Sequence, residues 1–172
     1  MALVLNEAPL NKATQAYVVK NPNQVTNAFT VNDEYMAAEL LKIRNPEKIA
    51  ELKDFVKDFD MTSISTQDLK NVGRALYKND LIDVQTYRMF IEGNLAFDEN
   101  GKQTATHVKF NAIALFNERL QDYNDFLRKF PENATKYNQE WRQGMISANH
   151  AVSALSYFST SARSDLSINE KV

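Results

Sequence analysis

The 172-residue chain contains no cysteine and has only four glycines, four prolines and one tryptophan. The absence of cysteine excludes disulfide bonds and thiolate chemistry. So few glycines disfavour a phosphate-binding loop built from backbone amides, and the scarcity of turn residues disfavours an all-β domain. The formal net charge is −2, so the chain has no overall basic character with which to hold a nucleic acid.

Long hydrophobic runs are also missing. Residues 1–5 are apolar but are not preceded by basic residues, so we expect neither a signal peptide nor a membrane span, and we expect a cytoplasmic protein. Hydrophobic residues make up 44% of the chain and charged residues 24%. This balance is typical of one globular domain large enough to bury a core.

Two stretches with helical periodicity, about 107–130 and 133–159, flank a break at Pro131. Such a short connection predicts two long antiparallel helices that pack as neighbours. Asn117 and Glu118 fall on the polar face and are expected to meet water. The sequence therefore predicts an all-α bundle of about six helices organised on this helical hairpin. Its predicted apolar stripe consists of Ile113, Phe116, Leu120, Tyr123, Leu127, Phe130, Ala134, Tyr137, Trp141, Met145, Ala148, Val152 and Leu155.

The remaining helices are recognised by their first residues. Asn32, Asn45, Ser65 and Asp83 each precede an apolar stripe and carry a side chain that can accept hydrogen bonds from the first helical turn. Residues 1–31 show no sustained period and are expected to form an irregular N-terminal arm. Residues 32–160 are then a single helical domain, and the serine-rich residues 161–172 form a polar tail.

One segment is similar to the second half of an EF-hand, the calcium-binding helix–loop–helix. Asp58, Asp60 and Thr62 match the first three oxygen ligands of that loop. If this loop lacks one residue of the family's pattern, Ile64 and Asp68 correspond to the eighth and last positions. The glycine at the sharp turn and the bidentate glutamate are both missing. These four oxygen-bearing residues are therefore weak calcium candidates, and the alternative is that they end one helix and cap the next.

Residues 65–93 resemble two helix-pair modules. One is the helix-turn-helix of DNA-binding proteins, but the second helix begins with Asp83 and carries only Arg88 as a cation. Because phosphate contacts dominate affinity for DNA, we expect no nucleic-acid partner. The other resemblance is to short helical hairpins associated with oligomerisation, which favours a role in protein interaction.

Catalytic signatures are missing from the sequence. His107 and His150 have no second histidine or carboxylate three or four residues away, so no helical metal pair is indicated. The chain also lacks a Glu-x-x-His motif, a P-loop, a dinucleotide-binding glycine motif and a nucleophile elbow. We therefore assign no catalytic residue, no cofactor and no further metal site, and we expect a protein that is not an enzyme.

The leading hypothesis is a non-enzymatic interaction protein, an adaptor, accessory or oligomerising module that binds a protein partner or itself. One alternative is a degenerate EF-hand-like calcium-loop protein. Another is a helical enzyme or small-ligand carrier with a pocket between bundle helices, in which Tyr123, Tyr137, Trp141 and His150 are the polar handles. Composition alone also resembles that of bacterial filament and export components. The candidate interaction and pocket residues are Phe110, Tyr123, Phe126, Tyr137, Trp141, His150 and Phe158.

Overall fold

The computed structural model describes residues 13–169, with side chains as far as residue 165. This part of the chain contains six α-helices and one two-stranded sheet, so the predicted all-α bundle is confirmed. The elements are α1 (Glu34–Leu40), α2 (Pro46–Val56), β1 (Ile64–Ser65), α3 (Thr66–Lys78), α4 (Val84–Glu92), β2 (Lys109–Phe110), α5 (Ala112–Lys129) and α6 (Lys136–Asn169), with a 3-10 turn at Pro131–Asn133 between the last two.

Helix α6 is the centre of the bundle, because α1, α2, α4 and α5 all pack against it. Helix α3 packs mainly on α4 and lies in an outer layer. The antiparallel order of α5 and α6 is visible in two hydrogen bonds. Asn149 Nδ2 donates to the Phe116 carbonyl oxygen at 3.0 Å, and nearer the turn Arg142 Nε donates to Asn124 Oδ1 at 2.6 Å. The predicted hairpin therefore exists.

Helix starts follow the predicted caps at three of four places. Asn45, Ser65 and Asp83 each accept a backbone hydrogen bond from the first turn of their helix. The first helix begins one residue later than predicted, because Asp33 rather than Asn32 is the cap and accepts from the Met36 N–H at 2.8 Å. Short polar side chains at these positions satisfy amides that have no partner inside the helix.

The C-terminal polar tail predicted from residue 161 is corrected by the structure, since α6 continues to Asn169. Neither proline nor glycine follows Gly144, so the backbone has nothing that stops the helix. Ser159 is fully buried and its hydroxyl donates to the carbonyl oxygen of Phe59, to which Arg163 Nη1 also donates at 3.2 Å. This docking holds the extra turns against the bundle. Residues 170–172 lie outside the described residues.

Two helix–loop–strand–helix units are joined through the small sheet. The first is α2, β1 and α3, and the second is α4, β2 and α5. Their strands are antiparallel, with Ile64 opposite Phe110 and Ser65 opposite Lys109. Further backbone bonds, such as Ala112 N–H to the Met61 carbonyl at 2.9 Å, hold the two loops side by side. The loop that resembles a calcium site is therefore tied to the loop before α5.

The structure describes residues 13–31 of the predicted irregular arm, and residues 17–24 run along α5 in the opposite direction. The Tyr17 hydroxyl donates to Asp122 Oδ2 at 2.6 Å, and Asn111 Nδ2 donates to carbonyls of the arm. Under the arm, Asn117 and Glu118 are buried, so the prediction that they face water is wrong. The helical period placed them opposite the core correctly, but a second layer covers that face. Residues 1–12 lie outside the described residues.

Candidate functional site

The end of the hairpin, residues 121–143, carries no buried residue, and we call this segment the hairpin tip. Burial on α5 ends at Leu120 and resumes on α6 at Gly144. Beyond these two positions, the rest of the described chain does not fully bury any residue of the hairpin. The predicted apolar stripe needs to be covered either by the earlier helices or by another chain, and at the tip the described chain leaves it partly uncovered. Phe130 is 39% exposed and Tyr137 is 67% exposed.

Aromatic side chains form a continuous exposed surface on the tip. The rings of Tyr123 and Phe126 lie 6.1 Å apart, and those of Phe126 and Phe130 lie 5.5 Å apart. The Lys129 ammonium lies 5.5 Å from the centre of the Phe130 ring. Rings at these separations attract one another, and Phe126 remains 40% exposed and Phe130 39% exposed. Clustered exposed aromatic residues of this kind are typical of interaction surfaces.

Polar bonds fix the two arms of the tip against each other although no core holds them. The Tyr123 hydroxyl donates to the Asn138 carbonyl at 3.3 Å, and Asn138 Nδ2 donates to the Asn133 carbonyl at 2.6 Å. Burial raises the pKa of Tyr123, and Tyr137 adds a smaller contribution. The tip is therefore an ordered surface on which the aromatic residues have fixed positions.

Charges on the tip are segregated along α5. Two acids, Asp122 and Asp125, precede Phe126 in the chain, and two bases, Arg128 and Lys129, follow it. The pair Asp125–Arg128 approaches to 3.0 Å, but both side chains are largely exposed and such a pair adds little stability. One end of the aromatic surface is therefore flanked by negative charge and the other by positive charge.

A shallow depression of about 280 Å³ lies at the root of the tip. Tyr123 and Trp141 line it, whereas Tyr137 and His150 do not. His150 instead lines a separate cavity of about 240 Å³, where its ring meets Phe29 edge-on at 5.0 Å and burial lowers its pKa. The structure therefore does not bring the four predicted polar handles together in one pocket.

The other two candidate interaction residues lie elsewhere. Phe110 is partly buried in β2, where it pairs with Ile64. Phe158 is fully buried in the core and is not accessible to a partner. The sequence also missed Tyr17 and Asp122, which meet at the root of the tip. Their separation of 105 residues leaves no local signal in the sequence that could have paired them.

In the loop that resembles a calcium site, three of the four candidate residues, Asp60, Thr62 and Asp68, are engaged by neighbours, and Asp58 is exposed. Thr62 donates two hydrogen bonds to Asp60 Oδ1, from its N–H at 2.9 Å and its hydroxyl at 2.6 Å. Burial alone would raise the pKa of Asp60, but these bonds and nearby cations lower it. Asp68 accepts from the Ser65 hydroxyl at 2.9 Å. In residues 13–169 no three or more His, Cys, Asp or Glu side chains are grouped to hold a metal ion.

Comparison of the chain with protein-family models, with curated proteins and with solved structures finds no match. Among the helices that the structure describes, none is long and apolar enough to cross a membrane. Function is therefore inferred from the hairpin tip, the paired loops and the cavities themselves.

Proposed function

We propose that this is a non-enzymatic, cytoplasmic interaction protein that associates with a second copy of itself through the hairpin tip. The observation that supports this proposal is that residues 121–143 contain no buried residue yet present Phe126, Phe130 and Tyr137 in one ordered surface. Exposed aromatic side chains lose unfavourable contact with water when a partner covers them. An ordered surface also loses little conformational entropy on binding.

The order of charges favours a second copy as the partner. If two α5 helices cross antiparallel near Phe126, then Asp122 and Asp125 of one copy approach Arg128 and Lys129 of the other. The same relationship holds in both directions, as a twofold-symmetric interface requires. The aromatic side chains then lie at the centre of the interface and the charges at its rim, the usual arrangement in protein interfaces.

Light scattering and sedimentation across a concentration series test the proposal. We expect the mass of the native protein to rise from monomer to dimer by about 1 mM, where even an association of about −4 kcal/mol is detected. The double variant Phe130→Ser/Tyr137→Ser should remain monomeric. Tyr35→Ser is the matched control, because Tyr35 is 76% exposed on α1, away from the tip. A monomer mass at every concentration would overturn self-association.

A charge exchange tests the antiparallel arrangement. Arg128→Glu/Lys129→Glu and Asp125→Lys should each weaken self-association, because each places like charges at the rim. An equimolar mixture of the two variants should associate more strongly than either alone, since opposite charges then meet. A mixture that behaves as the average of its two components would contradict this arrangement.

A calcium-loop protein remains the second candidate, and the observation that favours it is the pairing of Ile64 with Phe110 between two adjacent loops. The engaged side chains of Asp60 and Asp68 argue the other way, because calcium takes six to eight oxygen ligands. A calorimetric titration of the native chain with calcium, beside Asp60→Asn, tests this candidate. Saturable heat that is lost in the variant would establish it, and absence of heat would end it.

A further inference from the structure

Four aromatic side chains line the depression at the root of the hairpin tip, where α5, α6 and the N-terminal arm meet. They are Tyr17 from the arm, Tyr123 and Phe126 from α5, and Trp141 from α6. The depression, of about 280 Å³, is slightly smaller than the ~300–1,000 Å³ typical of sites for drug-sized ligands. The volume of the depression therefore suits a small ligand. Its four aromatic side chains suit a ligand that is attracted to aromatic rings.

The charge around the depression favours a cation. The Asp122 carboxylate lines it with about half of its side chain exposed, and its other near neighbours are the Tyr17 hydroxyl at 2.6 Å and the exposed Lys20 ammonium at 3.2 Å. Arg119 also lines the depression, but it is nine-tenths buried and its Nη2 pairs with Glu92 at 2.8 Å. Its charge is therefore paired with that of Glu92, whereas its buried Nη1 has no hydrogen-bond partner among the described residues.

The ionisation of Tyr17 points in the same direction. Its pKa is raised first by burial and then by the hydrogen bond to Asp122. The negative charges of Asp122 and Glu118 raise the pKa further, and the opposing effect of Arg119 is smaller than each of these. The contributions of Asp122 and Glu118 show that negative charge lies near this hydroxyl, whereas the larger contribution of burial disfavours a charge of either sign there.

We propose that this depression binds a small quaternary ammonium ion of about the size of choline. Such an ion has no N–H group to satisfy, so it can rest against the rings of Tyr17, Tyr123 and Trp141, which line the depression and whose π electrons attract it. Asp122 supplies the counter-charge at the rim. Phe126 and Asp122 belong both to the depression and to the proposed self-association surface. Phe130 and Tyr137 do not line the depression, so the Phe130→Ser/Tyr137→Ser variant separates the two proposals.

Trp141 makes the test direct, because it is the only tryptophan in the chain and it lines the depression. Its fluorescence is followed while the native protein is titrated with choline chloride or tetramethylammonium chloride, against sodium chloride at equal ionic strength. The uncharged counterpart of choline, 3,3-dimethylbutan-1-ol, separates charge from shape. We expect saturable changes with both cations and about tenfold weaker binding of the uncharged compound.

Variants locate the binding. Asp122→Asn and Tyr123→Leu should each raise the dissociation constant for choline about five- to tenfold. Tyr35→Leu on α1 should leave it unchanged, and so should Phe130→Ser/Tyr137→Ser, which loses only self-association. Circular dichroism confirms that each variant is folded. Equal affinity for the uncharged compound, unchanged binding in both site variants, binding only to phosphatidylcholine vesicles, or no saturable change up to about 10 mM ligand would each overturn the proposal.

Discussion

The carboxylate of Glu118 on α5 holds the backbone of the N-terminal arm at Asn21, whose N–H donates to Oε1 at 2.9 Å. The second oxygen accepts from the adjacent N–H of Lys20 at 2.8 Å. The arm has no helix or strand at this point, so its amides lack the usual backbone partners. One buried acid therefore replaces secondary structure as the acceptor for two successive amides, and charge strengthens both bonds.

Removing this carboxylate should loosen the arm. We expect Glu118→Ala to lower the free energy of unfolding by about 2 kcal/mol, because two charge-assisted bonds are lost where water has little access. Hydrogen exchange at residues 19–24 should accelerate. Urea unfolding and amide exchange measure the two effects. The control is Asp125→Ala, which removes an exposed acid from the same helix, and equal stability of the two variants would contradict the expectation.

Alkaline pH should weaken the arm through Tyr17. The pKa of Tyr17 is raised in the folded state, chiefly by burial, so the unfolded chain loses this proton first as the pH rises through about 10. Stability should therefore fall as the pH rises above that value. Tyr17→Phe should remove this part of the pH dependence, as urea unfolding at several pH values will show. Tyr137→Phe, at an exposed position, serves as the control; if Tyr17→Phe keeps the native slope, the assignment fails.

Acid should act through His150. Burial lowers the pKa of this imidazole in the folded state, so below pH about 6.5 the unfolded chain takes up the proton first. Stability should be complete above that pH and should decrease as the pH falls through the lowered pKa. Proton NMR of the two histidines, assigned with His107→Ala, measures the shift. The cavity beside the ring also holds Glu39, Lys42 and Asp83. A His150 pKa above the ordinary value would show that the two acids dominate over burial.

Gly73 should be intolerant of alanine although it lies within α3. A Cβ there would lie 2.5 Å from the Cβ of Phe90, which is fully buried. Glycine-to-alanine changes in open helical positions gain about 1 kcal/mol, but overpacking here should reverse the sign and cost about 1–3 kcal/mol. Thermal and urea unfolding measure the change, with Arg74→Ala on the exposed side of the same helix as the control. A stabilised Gly73→Ala protein would disprove the close packing.

Local signals in the sequence were sufficient for much of the fold. Caps such as Asn45 and Asp83 act on amides two or three residues away, so they are readable without knowledge of the rest of the chain. The hairpin was also predictable, because helical periodicity and a short connection together dictate antiparallel packing.

Features made by distant residues could not be predicted in this way. From the sequence alone, Glu118 is expected to be a solvent-facing acid. In the structure it is covered by Asn21 and Lys20, which precede it by 97 and 98 positions in the chain. From the sequence alone, the serine-rich end of α6 is expected to be a polar tail. In the structure the Ser159 hydroxyl donates to the carbonyl of Phe59, which is 100 residues away in the chain. The aromatic period of the hairpin likewise does not reveal where its covering ends, so the exposed tip and the depression emerged only from the structure.

Helix α6 is one uninterrupted rod that begins in the exposed tip and ends against the loop after α2. About 33 Å separates Tyr137 from Ser159 along its axis. Because α1, α2, α4 and α5 all pack against this rod, a load applied at the tip would reach the rest of the bundle through α6. The carbonyl of Phe59, gripped by Ser159 and Arg163, would then be displaced together with the loop that carries Asp60. The bundle is thus mechanically continuous from its aromatic end to its paired loops.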